Sequence, residues 1–165
     1  MEVIAIIPAR SGSKSIIDKN IINLNGHPLL AFSIAAAKLS TQIDRIIVST
    51  DSEDYAIIAR KYGAEVPFIR PKEISTDACT DRDFLLHAIK WLKNNENECP
   101  EYWVHLRPTT PLRNPEVIDA AINLLVNNDI ASSLRSGHKA PESPFKWFTK
   151  NKEGFFESLI FDNFK

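Results

Sequence analysis

Glycine is scarce in this chain: five in 165 residues, none of them before Gly12. That scarcity excludes two familiar phosphate loops. Gly12-Ser13-Lys14-Ser15 resembles the end of a P-loop, but that loop needs Gly directly before the Lys and an earlier Gly at fixed spacing. A dinucleotide fingerprint needs three glycines, and the stretch around Gly12 has one. Cysteine is as sparse. Cys79 and Cys99 have neither metal-ligand spacing nor the numbers for a disulfide framework, so reduced thiols and a cytoplasmic setting are expected. Net charge is −1, which leaves no global basic field for nucleic acid. No apolar run approaches the roughly 20 residues of a membrane span. Met1-Glu2-Val3 has no basic region ahead of an apolar stretch and is not expected to be a signal peptide.

What is present begins at the N-terminal end. Val3 to Ile7 is a continuous apolar run, as in a strand buried on both faces, and it ends at Pro8. Arg10, Ser11, Gly12, Ser13, Lys14, Ser15, Lys19 and Asn20 follow. Small residues let backbone N–H groups approach phosphate oxygens, and Lys and Arg supply the opposing charge. The stretch suits a polyanion; it is equally what a strand followed by a solvated basic loop looks like. With only one Gly, a phosphate would have to be held by side chains as well as backbone.

At 165 residues the chain reads as one domain, with 44% hydrophobic and 25% charged residues, ordinary for a globular protein. Strands are expected at Val3–Ile7, Arg45–Ser49, Glu65–Ile69, Tyr102–Leu106 and Ile130–Leu134. Helices are expected from Pro28 to about Leu39, Glu53 to Tyr62, Phe84 to about Lys93, and Asn114-Pro115 to about Val126. Thr50-Asp51-Ser52 is read as a helix cap, with Asp51 a cap rather than a metal ligand, and Asp81 or Asp83 caps the third helix. Alternating strands and helices predict an α/β fold: an open, mostly parallel sheet with helices on both faces. The loops at 8–20, 70–80 and 107–113 each follow a strand, so all three emerge at the carboxyl edge, where ligands bind. After Ser136, Pro141 and Pro144 disfavour regular structure. Trp147, Phe148, Phe155, Phe156, Ile160, Phe161 and Phe164 then form an aromatic tail without a clean period. The four histidines show no pairing pattern, and Trp91 and Trp103 are assigned to the core.

Ala9 to Asn20, A-R-S-G-S-K-S-I-I-D-K-N, resembles the first signature of the acylneuraminate cytidylyltransferases, usually A-R-x-G-S-K-G-x-x-x-K-N; Ser15 departs from a usual Gly. Arg70-Pro71 leading into Ser75-Thr76-Asp77-Ala78-Cys79-Thr80 is similar to the family's R-P…S-x-D-x-A-[ST] segment. Leu106 to Arg113, LRPTTPLR, is similar to L-Q-P-T-S-P-L-R. Ser143-Pro144-Phe145-Lys146 resembles a weaker S-P-x-K element. The resemblance runs over nearly the whole chain in family order. It implies a Rossmann-like sheet of the nucleotide-diphospho-sugar transferase type. It also implies transfer of a cytidylyl group from CTP to the anomeric hydroxyl of a nine-carbon 2-keto sugar acid.

By that resemblance, Arg10, Ser13 and Lys19 match positions on the triphosphate, with Arg10 and Lys19 the catalytic pair. Asn20 matches a position on the nucleotide. Arg70 and the Asp77–Thr80 backbone, with Asp77, Ala78 and Thr80 the binding positions, match the cytidine-holding segment. Arg107, Thr109 and Lys146 fall on the sugar side, Arg107 standing where the family often has Gln. Mg²⁺ is implied too, but the family's D-x-D aspartate pair is absent and Asp162-Asn163 is not that pair, so no metal ligand is assigned. The stop inside an apolar tail is expected of a fragment, and residues 137–165 are expected to begin a dimerisation excursion, giving a homodimer. Arg113 has a plainer reading, bonding loop carbonyls. The alternatives are another nucleotidyltransferase, a glycosyltransferase, or a non-catalytic nucleotide-binding module. A glycosyltransferase usually shows D-x-D after a mid-sheet strand, where this chain has Arg107-Pro108-Thr109.

Overall fold

A computed structural model describes residues 2–97, 100–137, 139 and 141–159. The chain divides into two compact units, Met1–Ile130 and Ala131–Lys165.

In the first unit, β1 (Val3–Pro8) lies between β4 (Arg45–Ser49) and β5 (Tyr102–His105) in a parallel sheet of order β4-β1-β5. β2 (Asn23–Leu24) and β3 (His27–Pro28) form a small antiparallel hairpin. Asn25 and Gly26 turn it with positive φ angles, the Asn-Gly pair that a two-residue hairpin loop favours.

The middle strand explains the apolar run. Side chains alternate across a strand, so Val3, Ala5 and Ile7 face one side. They pack with α1 (Leu29–Leu39), α2 (Glu53–Lys61) and α4 (Pro115–Val126) through Leu30, Ile34, Ala56, Ala59, Ile118 and Ile122. Ile4 and Ile6 face the other side, against Ile47, Phe68 and the Phe84, Ala88 and Leu92 stripe of α3 (Asp81–Asn95). Both faces are covered, so β1 needs no polar alternation. Trp91 and Trp103 pack on the margin of this second cluster, half-buried.

Several element boundaries differ from expectation. Glu65–Ile69 does not form a strand: only Glu65 and Ile69 bridge to Ile47 and Thr50. Pro67 sits between them and has no N–H to give a ladder. Ile130–Leu134 forms no strand either, and Ile130 is 97% exposed. α3 starts at Asp81, with Thr80 as its cap; the Thr80 N–H and hydroxyl both donate to Asp83, at 2.7 and 2.9 Å. Ser52, not Asp51, caps α2 by accepting from the Tyr55 N–H at 3.4 Å. Asn114 accepts from the Glu116 N–H at 3.0 Å and Pro115 opens α4.

The second unit carries an antiparallel hairpin, β6 (Phe148–Lys150) and β7 (Phe156–Ser158), where an irregular tail is expected. Its signal lies in Asn151 and Gly154. The Asn151 side chain accepts from the Glu153 and Phe155 N–H groups, and Gly154 takes a φ of 91°. Ile160, Phe161, Asp162, Asn163 and Phe164 lie outside the described residues, as do Cys99 and His138. Among the described residues no helix is long and apolar enough to cross a membrane.

Candidate nucleotide site at the sheet edge

The register of the sheet sets what meets at its carboxyl edge. Pro8 pairs with Ser49, so Arg10 and Ser11 leave β1 beside Asp51 leaving β4. Ile6 pairs with His105, and the Leu106 N–H donates to the Ile6 carbonyl at 3.0 Å, so Arg107 leaves β5 on the other flank. The Arg70 N–H donates to the Thr50 carbonyl at 2.7 Å and begins the third loop.

The loop after β1 is braced at four points. The Ala9 N–H donates to the Ser49 carbonyl at 2.9 Å. The Ser11 N–H and hydroxyl donate to the two Asp51 oxygens at 2.7 and 2.8 Å. Asn20, buried, donates from Nδ2 to the Arg10 carbonyl at 2.9 Å. The Tyr55 hydroxyl donates to Asp18 at 3.0 Å, and Asp18 holds a positive φ. Burial, then that carboxylate, drives the Tyr55 hydroxyl pKa upward. Gly12 takes a φ of 65°, whereas Ser15 stays out of the left-handed region. A Ser therefore fits where the resembled signature has Gly.

A cleft of about 240 Å³ opens at this edge. Arg10, Ser13, Lys19, Asn20, Arg70, Thr80, Arg107 and Thr109 all line it, so eight of the residues expected from sequence converge. Four of them are cationic, and Asp81 is the one carboxylate in the lining. Asp77 and Ala78 line a neighbouring depression that shares Arg10 with the cleft and adds Ser11, Gly12, Lys14 and Asp51. Lys146 is not among the lining residues; it lies exposed on the turn Pro144–Lys146 of the second unit.

Arg70 is the most unusual cation here. It is only 4% exposed, and its guanidinium donates to the Ser49 Oγ at 3.0 Å and the Ser49 carbonyl. It also lies over the Phe84 ring, 5.0 Å from the centroid. Burial pushes its pKa down to about 10, against the pull of the Asp51 charge. Among the described residues no carboxylate stands within ion-pair distance of Arg70 or of Lys19. A buried cation with neutral partners, facing a cleft, is arranged to complement an anion.

Arg10, Lys14 and Arg107 are compensated by carboxylates. Arg10 pairs with Asp77 and donates to the Ser75 carbonyl at 3.5 Å, while Lys14 reaches the second Asp77 oxygen at 2.8 Å. Lys14, then Arg10, hold the Asp77 carboxyl below its ordinary range. Arg107 pairs with Asp81, and His105 Nδ1 lies 3.9 Å from the same carboxylate. Arg113 does bond loop carbonyls: it donates to the Arg107 carbonyl at 2.9 Å and to the Ser33 hydroxyl at 3.1 Å, fixing the loop after β5 onto α1.

Sequence reading takes Asp51 and Asp81 only as helix caps, whereas the structure places both carboxylates at the sheet edge. Asp51 follows a buried strand directly beside β1, and that adjacency is its only signal. Asp81 is visible only through its pairing with Arg107.

No group of three or more His, Cys, Asp or Glu side chains that would hold a metal exists among the described residues. Asp51, Asp77 and Asp81 are each committed to the contacts above. They do not fit a divalent ion held by protein alone.

The family model described as Cytidylyltransferase matches residues 4–153. This chain belongs to that family. Its cytidylyltransferase domain is 42% identical over 123 residues to the N-acylneuraminate cytidylyltransferase of Escherichia coli O18:K1:H7, covering 74% of this chain and 28% of that protein. It is 38% identical over 128 residues to a pseudaminic acid cytidylyltransferase of Campylobacter jejuni, covering 78% of this chain and 55% of that one. The chain thus spans about a quarter to a half of the relatives it matches. The solved structure of CMP:2-keto-3-deoxy-manno-octonic acid synthetase complexed with CTP superposes with a TM-score of 0.66 at 15% identity, covering 79% of this chain and 49% of that one. That likeness confirms the expected fold, a parallel sheet of the nucleotide-diphospho-sugar transferase type.

Proposed function

We propose that the protein transfers a cytidylyl group from CTP to a nine-carbon 2-keto sugar acid, giving the CMP-sugar and pyrophosphate. The observation that carries this reading is the cationic cleft at the carboxyl edge, with Arg70 buried among neutral partners, in a chain of the cytidylyltransferase family. The names of its relatives support a sugar acid as acceptor.

The chemistry asked of the site is in-line attack by an anomeric hydroxyl on the α-phosphorus, with pyrophosphate leaving. Such transfer depends on positioning and on neutralising charge rather than on covalent catalysis. Arg10, with its planar fork, Ser13 and Lys19 hold the triphosphate. Asn20 fixes the Arg10 carbonyl and so the shape of the loop. Arg70 and the backbone of Asp77, Ala78 and Thr80 are assigned to the cytidine. Arg107 and Thr109 are assigned to the acceptor, with Arg107, paired with Asp81 in this structure, assigned to the sugar carboxylate. Mg²⁺, when bound with the triphosphate, would supply counter-charge to its phosphate oxygens.

The half-buried free thiol of Cys79 suits a reducing, cytoplasmic setting. Phe148, Phe155 and Phe156 are exposed on the second unit, which supports the proposal that residues 137–165 begin a dimerisation segment and the protein is a homodimer. Sedimentation of the full-length protein at micromolar concentration decides that point; a clean monomer contradicts it.

The test of function is pyrophosphate release by the full-length protein with CTP, Mg²⁺ and a panel of nine-carbon sugar acids. Release that needs both substrates supports the proposal. No release with any acid contradicts it. Residues 1–165, which hold no D-x-D aspartate pair, are expected to bind CTP and give little transfer on their own.

A further inference from the structure

Asp77 differs from Asp51 and Asp81 at the sheet edge in that it pairs with two cations, whereas Asp81 pairs with Arg107 alone among Arg and Lys side chains of the described residues. Asp51 spends both oxygens on Ser11, a neutral partner, and so shapes the loop without cancelling its charge. Asp77 spends one oxygen on Arg10 and the other on Lys14. It comes from the loop after Arg70, while both cations come from the loop after β1. Its carboxylate therefore sits across the two loops as an anion bound bidentately by two cations, which is the geometry a pair of phosphate oxygens would adopt there. The pairs are partly exposed, with side-chain exposures of 31% for Arg10 and 40% for Asp77, so water and a competing anion can reach them.

We propose that Asp77 is an intramolecular competitor of the triphosphate, holding Arg10 and Lys14 until phosphate oxygens displace it. The proposal rests on the reading of this edge as a triphosphate site. Charge decides its sign. A carboxylate left among three phosphates repels them, so the bound ligand must break both Asp77 pairs or tolerate the repulsion. Either way Asp77 weakens nucleotide binding. It also couples the two loops: phosphate entry releases the Ser75–Thr80 segment from Arg10. A residue that merely clipped the loops into a binding-competent shape would have the opposite effect on affinity.

The experiment is calorimetric titration of the protein with inorganic tripolyphosphate and with CTP, in wild type, Asp77→Asn and Asp77→Glu. Asp77→Asn should bind both ligands about two- to ten-fold tighter, the scale set by losing partly exposed ion pairs. Asp77→Glu should stay near wild type. The gain from Asp77→Asn should shrink in a Lys14→Gln background, where only Arg10 is left to be freed. That comparison separates competition from a folding defect, which cannot tighten binding. Wild type that binds while Asp77→Asn binds equally or more weakly would overturn the competitor role and leave the triphosphate site standing. Failure of wild type and all variants to bind either ligand would overturn both.

Discussion

Arg10 and Arg70 both present guanidinium groups at one sheet edge, but the fold holds them differently, and their substitutions should differ accordingly. Arg10 is half-buried on a loop and paired with an exposed carboxylate. Arg10→Ala removes a charge-assisted phosphate contact of about 1.5–3 kcal/mol. CTP affinity should fall roughly ten- to a hundred-fold, with the melting temperature nearly unchanged. Calorimetry and thermal unfolding on the same sample check both halves. Asp51 acts through Ser11. Asp51→Ala leaves a Ser11 N–H without its partner, so urea unfolding should show a loss of about 1–3 kcal/mol, with weaker CTP binding as the loop relaxes. An unchanged CTP affinity would show that the Asp51 brace is not needed for the loop's shape. Sequence made the cations of the cleft legible because their residue types and spacing carry the signal. It did not make Asp51 or Asp81 legible, because their significance lies in partners 40 and 26 residues away.

At the scale of elements, the strand and helix pattern was readable where burial is two-sided or amphipathic. β1, β4 and β5 and the four α-helices all form close to their expected bounds. Expectation failed where apolar content was high but pairing was blocked or unavailable. Pro67 interrupts the third strand, and Ile130–Leu134 takes no strand conformation among the described residues. The end of α2 illustrates a local rule that held. Gly63 takes a φ of 90°; its N–H donates to the Arg60 carbonyl at 2.9 Å, and the Ala64 N–H donates to the Ala59 carbonyl at 3.1 Å. That is the Schellman pattern of a helix closed by Gly. An Ala at this position would sit in the left-handed region, and its Cβ would meet the Lys38 ammonium at 2.8 Å, a flexible tip that can move aside. Gly63→Ala should therefore cost about 1–2 kcal/mol from the backbone alone. The melting temperature should drop by roughly 2–8 °C. No change in melting would mean that another residue can close α2 equally well.

For the whole molecule, acid should be destabilising before the carboxylates titrate. Burial lowers the pKa of His105 and His87 from the ordinary 6.5, and both have a buried ring nitrogen with no hydrogen-bond partner among the described residues. Asp81 opposes the shift at His105; Arg70 adds to it at His87. The folded state resists protonation, so the unfolded state binds more protons once pH falls below about 6.5. Stability should decline as pH falls below about 6.5, where the unfolded-state imidazoles gain protons that the folded state resists. Thermal melts of wild type and of a His87→Phe/His105→Phe variant check this, the variant being expected to show a flatter profile. The fold class was the most legible property, since alternating elements allow few arrangements, while the carboxyl-edge location of the site followed from it without any contact being known. The central claim is that this edge is a cytidine triphosphate site. Its most direct test is calorimetric titration of residues 1–165 with CTP, UTP, ATP and GTP in turn. We expect CTP to bind in preference to the other three and Arg10→Ala to lose that binding. An equal response to all four nucleotides, or no response to CTP, would contradict the account.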